Sequence, residues 1–339
     1  MSDDVQDKGT IDKKDLFYDD SAVFGYNAFL SFILSGRGNG KTFAFKKRAL
    51  NCKGQVVWLR RYEEDLRDFE KEFMADLYQT GLFADDAITI KEHRLYLNGE
   101  VKIFFVALSQ AFRKKSVSYA GVEIIVFDEF IEARKSRAYL KGEVEMFLDL
   151  IETVNRLRVD RAEVRCFCLA NKVTFANPYF VYWKIKEFDG RFKKFKNGLI
   201  VVENYDNQLF MEMKKKSRFG QLIDGTKYGK YAIDNEVLRD TNDFIAKKPN
   251  DAKYLLAVRM GSNYIGFWKS NGCLYCSPAY NPNKLVFAPR EDLQEGEFAL
   301  KSADVPISWM KDLNTIGMLF FEDNMIKDIC YNMMVENYK

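Results

Sequence analysis

A glycine-rich turn set between a buried strand and a helix limits this chain more than any other stretch. Phe29 to Leu34 is an apolar run that reads as a strand, Phe43 to Leu50 continues as a helix, and Ser35-Gly36-Arg37-Gly38-Asn39-Gly40-Lys41-Thr42 joins them. Strand, glycine-rich turn, lysine and helix in that order are the context a phosphate-binding loop requires. Glycines let backbone N–H groups converge on phosphate oxygens, and the helix N-terminus adds a favourable dipole. The candidate nucleotide contacts are therefore Gly36, Arg37, Gly38, Asn39, Gly40, Lys41 and Thr42. Lys41 would reach the β and γ phosphates and Thr42 would hold Mg²⁺. One position departs from the usual Gly-x-x-x-x-Gly-Lys-Ser/Thr pattern, because Ser35 stands where its first glycine belongs.

The second chemical stretch is Glu123 to Phe130, in which Ile124 to Phe127 form a buried strand delivering Asp128 and Glu129 to its end. Asp128 would bind the metal through water, and Glu129 would polarise the attacking water as general base. A surface turn explains such an acidic pair equally well when it stands alone. Placed after a phosphate loop with one further strand between, it points to nucleotide hydrolysis. Asp followed by Glu favours an ATPase of the additional-strand type over a Ras-like GTPase, and no guanine-reading Asn-Lys-x-Asp sequence occurs. ATP and Mg²⁺ are the ligands this implies.

At 339 residues the chain has room for two domains with separate cores. Met1 to Asp20 is polar and acid-rich, unlike a secretory signal or a basic transit peptide. No apolar run approaches the ~20 residues of a membrane span, so a soluble intracellular protein without a membrane partner is expected. Six cysteines are too sparse for a disulfide framework. Cys273 and Cys276 make a single Cys-x-x-Cys pair with no second pair, and the only histidine, His93, is distant. A structural metal is not expected there. One histidine also removes most histidine-assisted hydrolysis, leaving carboxylates, lysine, arginine and a metal.

The formal charge of +3 hides an asymmetry: 12 basic and 14 acidic residues lie from Glu236 onward, against 40 and 35 before it. Clusters occur at Arg113 to Lys115, at Arg156, Arg158, Arg161 and Arg165, and at Lys193 to Arg218. Each reads as a solvated face or as part of a polyanion site.

Along the chain, Phe17 and Tyr18 precede the loop strand and are candidates for stacking on adenine or for core packing. Gln55 to Tyr62 reads as a parallel strand carrying Arg60 and Arg61 at the end where ligands sit. Glu63 to Leu77 has helical spacing through Leu66, Phe69, Phe73 and Leu77. Runs 87–92, 93–97 and 101–107, with Asn98-Gly99 between the last two, predict a hairpin decorating the nucleotide domain. Val144 to Val154 predicts a helix running out into Arg156, which is either a salt-bridged helix end or an arginine finger for a neighbouring subunit. Val164 to Leu169 predicts the strand beside the acidic one, and Asn171 at its tip is a γ-phosphate sensor or a turn cap.

Six blocks stand in the order and spacing of one family: Gly36 to Thr42, Trp58 to Tyr62, Val126 to Phe130, Val164 to Leu169, Asn177 to Phe180 and Arg218 to Gly229. The chain resembles the DNA-packaging ATPases of small phi29-like podophages, from about Leu16 to its end. The resemblance implies a homo-oligomeric ring, usually of five subunits, at the portal (connector) of a procapsid in the host cytoplasm. It implies double-stranded DNA as cargo and a packaging RNA as a further partner. On this chain it makes Lys41, Glu129 and Arg156 catalytic, with Arg156 supplied in trans. It places Lys115, beside Lys114, where a basic residue grips DNA in the pore. Glu63 stands where a related member carries an interfacial lysine, so that duty would pass to Arg60 or Arg61.

The expected fold is α/β: an additional-strand P-loop ATPase over residues 1–197, a connector over 198–235, and a small α+β domain over 236–339. Short strands at Tyr254 to Met260, Asn263 to Lys269 and Cys273 to Ser277 followed by helices resemble an RNase H-like nuclease. Such nucleases need an acid on the opening strand, and this one has none, so a vestigial nuclease is expected. The rival functions are a large terminase with an active C-terminal nuclease and a nucleotide-switched module of the helicase-loader kind.

Overall fold

The computed structural model describes residues 17–81, 83, 86–114, 119–131, 139–140, 142–156, 162–172, 175, 177–226, 229, 244–302, 304–336 and 338. After the short helix α1 (Ser21–Gly25), its first sheet is organised around β1 (Leu30–Ser35), buried along its whole length, as a strand flanked on both edges and covered on both faces must be. β1 pairs in parallel with β7 (Arg165–Asn171) and with β9 (Ile200–Tyr205). Beyond β7 follow β6 (Val122–Asp128), β2 (Gln55–Arg60) and β5 (Glu100–Ala107), all parallel. Antiparallel strands finish both edges: β4 (Arg94–Leu97) and β3 (Ile88–Lys91) on one side, β8 (Phe192–Phe195) on the other. The order is β3-β4-β5-β2-β6-β7-β1-β9-β8. β7 thus lies between the loop strand and the acidic strand, which is the additional-strand arrangement the acidic pair predicted.

Alternation along the strands divides the apolar residues between two faces. Val56 and Trp58 of β2 pack with α2 (Lys41–Asn51) and α3 (Glu63–Thr80), while Val57 and Leu59 face α4 (Glu143–Asn155) and α5 (Pro178–Trp183). The stripe Leu66, Phe69, Phe73 and Leu77 is the buried face of α3, as its spacing predicted. Trp58 stacks on Phe69 at 5.3 Å and meets Phe73 edge-on at 5.6 Å. Truncating a phenylalanine packed like Phe73 costs about 3–5 kcal/mol.

Two expectations need correction. The stretch 87–107 does not merely decorate the sheet: Asn98 and Gly99 turn the chain with φ of 53° and 89°, but β5 then enters the parallel layer beside β2. The connector does not begin at 198 either. Ile200, Val201 and Val202 are buried in β9, in register with Leu30, Ser31 and Phe32 of β1. The first sheet therefore runs through Tyr205, and α6 (Gln208–Lys216) and α7 (Arg218–Ile223) follow it.

The second sheet is a meander of β10 (Lys253–Met260), β11 (Asn263–Ser270) and β12 (Cys273–Ser277), to which β13 (Val286–Ala288), β14 (Phe298–Ala299) and β15 (Leu319–Phe321) add in parallel. Its order is β14-β13-β10-β11-β12-β15. Helices α8 (Val305–Thr315) and α9 (Asn324–Val335) close a separate core over Val258, Phe267, Leu274 and Phe321. The mixed strands and trailing helices have the α+β character expected of this part. Val181 of α5 belongs to this second core, and the Gly142 amide donates to the Thr315 carbonyl at 3.0 Å. Among the described residues no helix is long and apolar enough to cross a membrane.

Candidate nucleotide site

The phosphate loop starts where β1 ends and closes into α2. Gly38 and Gly40 have φ of 85° and 86°, the left-handed region that glycine enters without a Cβ penalty. A Cβ at Gly40 would also come within 3.1 Å of the Phe17 ring, which would have to shift to admit it. Gly40 caps α2 with no side-chain acceptor, so the first-turn amides remain a site for an anion. Asn39 is buried beside them, and its Nδ2 finds no acceptor among the described residues. A buried donor left unmade is costly, and phosphate oxygens would satisfy it.

Lys41 is 6% exposed. Its ammonium donates to Ser35 Oγ at 2.7 Å, to the Gly36 carbonyl at 3.3 Å and to Asn171 Oδ1 at 3.4 Å. Burial pulls its pKa down to about 8, against the opposing pull of Asp128 and Glu129. The Ser35–Asn171 register across β1 and β7 brings the sequence-predicted sensor to the loop. Ser35, which departs from the usual loop pattern, is thus a partner of the loop lysine.

Thr42 donates to Asp128 Oδ1 at 3.3 Å. This hydroxyl and carboxylate, both hard oxygen donors, fit Mg²⁺, which takes few protein ligands beside phosphate oxygens. Arg60 spans the acidic pair, with Nη1 3.1 Å from Asp128 Oδ2 and Nη2 2.9 Å from Glu129 Oε2. The Glu129 side chain is 49% exposed and its backbone has a φ of 59°. Loop, acidic pair and Asn171 line one cleft of about 320 Å³, which Phe43 and Asp76 also edge.

Other candidates separate in space. Tyr18 is a core residue: its hydroxyl donates to Glu203 at 2.6 Å, and burial raises its pKa further from the physiological range. Phe17 stays half-exposed beside Gly40, with its ring 6.5 Å from Phe210 of α6. Arg60 and Arg61, the candidates for an interfacial duty, both have partners within the chain. Arg60 is committed to its own acidic pair, and Arg61 is buried against Glu143. Arg156 is exposed at the C-terminal end of α4. Asn155 beside it bonds the Val164 amide, just before β7 begins, whereas Asn171 at the other end of β7 faces the loop. Seven strand residues, roughly 20 Å, keep Arg156 away from its own loop. Lys114 closes the short helix Leu108–Lys114 between β5 and β6, while Lys115 and Arg158 lie outside the described residues.

Sequence reading missed α6 altogether. Phe210 sits over Gly38, where a Cβ would be 3.4 Å from its ring, and Lys214 donates to the Arg37 carbonyl at 2.9 Å. The lysine run had registered only as charge.

Comparison with known proteins places this geometry among relatives. Residues 11–338 match the family described as Podovirus DNA encapsidation protein (Gp16). The DNA packaging protein of Bacillus phage PZA is 31% identical over 331 residues, covering 94% of this chain and 97% of that one. A solved structure of the bacteriophage Phi-29 viral genome packaging motor assembly contains a chain 29% identical, with a TM-score of 0.55, covering 95% of this chain and 100% of that one. The crystal structure of the N-terminal domain of the DNA packaging ATPase from bacteriophage phi29 matches at 32% identity and a TM-score of 0.51, over 57% of this chain and 99% of that one.

Proposed function

The chain belongs to the podovirus DNA encapsidation (Gp16) family, and from that premise we propose that it is a DNA-packaging motor ATPase that couples the reaction of ATP with water, giving ADP and phosphate, to translocation of double-stranded DNA into a procapsid. The observation that carries the chemistry is the convergence of Lys41, Thr42, Asp128, Glu129 and Asn171 on one cleft.

Each of these residues has a task. Lys41 exchanges Ser35 for phosphate oxygens and neutralises charge that builds up as the terminal phosphate leaves. Thr42 and Asp128 would hold Mg²⁺, which would offset the charge of the phosphates. Glu129 orients a water for in-line attack and takes its proton. Asn171, beside Lys41, donates or accepts according to whether a terminal phosphate is present. Arg60 bonds both acids and so orients Asp128 and Glu129 at the edge of the cleft.

Arg156 completes the site of a neighbouring copy, because it is exposed and too far from its own loop. This makes a closed ring the working form, of five subunits in our reading, seated at the procapsid portal in the host cell. DNA held in the pore by Lys114 and Lys115 would be gripped through phosphates, since a motor must pass every sequence. A packaging RNA is a further partner in this reading. No nuclease step is assigned. β10 carries no carboxylate, and its Arg259 is paired with Glu297 at 2.7 Å.

Procapsid packaging measured as nuclease-protected DNA tests the proposal. Wild-type chain should protect full-length DNA only with hydrolysable ATP, and Glu129→Gln should bind nucleotide yet protect none. Protection by Glu129→Gln at the wild-type level would overturn it.

A further inference from the structure

The left-handed backbone of Glu129 is costly for a residue with a Cβ and persists only where its surroundings over-determine it. Those surroundings are a buried polar cluster. Arg61 donates from Nη1 to the Glu129 carbonyl at 3.2 Å and from Nη2 to the Phe130 carbonyl at 2.7 Å. The same guanidinium grips Glu143, Nε to Oε2 at 2.7 Å and Nη2 to Oε1 at 2.9 Å. Glu143 also accepts from the Tyr179 hydroxyl at 2.7 Å and from the Leu140 amide at 2.8 Å. The Tyr139 ring lies 4.8 Å from the guanidinium. Arg61, Glu143 and Tyr179 are all buried.

Charges buried this deeply persist only when paired and fully bonded. Apolar side chains of similar volume would often be as stable in such a place, but they could not bond two successive carbonyls. A planar arginine fork can bond the carbonyls and a carboxylate at once. The turn it holds is the one from which the Glu129 carboxylate projects into the cleft.

We infer that Arg61 is a positioning residue for Glu129, supported by Glu143 and Tyr179, and that this cluster fixes the turn that aims the general base. The inference rests on the ATPase reading of the cleft. It also reaches outward, because Glu143 opens α4 next to Gly142, whose amide is bonded to Thr315 of α8.

The test compares the full chain with Arg61→Lys, Glu143→Gln and Tyr179→Phe. Tyr179→Phe removes one hydroxyl from a filled core and stays measurable if a charge variant fails to fold. Steady-state ATP turnover, the Kd of a fluorescent ADP analogue, and hydrogen–deuterium exchange over residues 124–131 are read together. The expected result is a kcat lower by about tenfold or more in the charge variants and about threefold in Tyr179→Phe, with KM and Kd within about threefold of wild type. Exchange should rise over 124–131 and stay unchanged over α2. Folded variants with wild-type kcat would overturn the inference, as would kcat and affinity falling together with faster exchange in both cores. A wild-type chain that hydrolyses no ATP would sink the ATPase reading instead, and the exchange comparison would then decide alone whether Arg61 holds the turn.

Discussion

The Lys41 ammonium lies 2.7 Å from the Ser35 hydroxyl, so the residue that departs from the usual loop pattern is bonded to the loop's own lysine. Nucleotide phosphate is expected to replace this bond. Removing the hydroxyl with Ser35→Ala takes a partner from a buried cation and should destabilise the nucleotide-free chain by about 1–2 kcal/mol. The bound form, in which phosphate serves Lys41, should lose less. Thermal unfolding with and without a non-hydrolysable ATP analogue checks this, since the nucleotide-induced rise in Tm should be larger in the variant. Equal losses in both forms would mean that the hydroxyl stays on Lys41 throughout.

Burial lowers the Lys41 pKa from its ordinary 10.5 to about 8, and two opposite pH effects follow. The unfolded chain keeps the extra proton between those values, so this group's contribution to stability rises with pH across that window and is least favourable below about 8. Nucleotide affinity should move the other way, because phosphate needs the charged ammonium. Titration calorimetry at pH 7, 8 and 9 should show affinity falling about twofold from 7 to 8 and about fivefold from 8 to 9, and Lys41→Met should abolish the slope.

Arg156 is predicted to act on a neighbour. Arg156→Ala alone should hydrolyse ATP slowly, by a factor within the ~10³ to 10⁵ attributed to an arginine finger. Doping it into wild-type protein should depress turnover in procapsid-bound rings. Restored turnover on mixing Arg156→Ala with Glu129→Gln would identify transfer between subunits, because each variant supplies what the other lacks. Mixtures that merely average their components would rule it out.

DNA affinity should fall steeply with salt, with a log–log slope of about −0.9 for each phosphate neutralised. Replacing Lys114 and Lys115 together by alanine should reduce that slope by about two units and weaken all sequences alike. A slope unchanged by both substitutions would remove them from the grip.

The parts legible in sequence were those whose signal is local. The loop, the four-residue stripe of α3 and the strand delivering Asp128 each announce themselves within a dozen residues, and each lies where its spacing implied. β9 was not legible as part of the first sheet. Its buried residues follow a lysine-rich strand and a tight turn, and nothing local says that its neighbour is β1, some 170 positions earlier. Arg61 was visible as a charge at a strand end, but its partner Glu143 is 82 residues away. That distance separates an interfacial arginine from a buried one. Tyr18 was ambiguous for the same reason, its hydroxyl being settled by Glu203 across 185 residues.

With Phe210 resting on Gly38 and Lys214 tied to the Arg37 carbonyl, α6 touches the phosphate loop at two neighbouring residues. A change in the course of the loop at Arg37 or Gly38 would therefore strain or break a contact with a helix some 170 residues further along the chain.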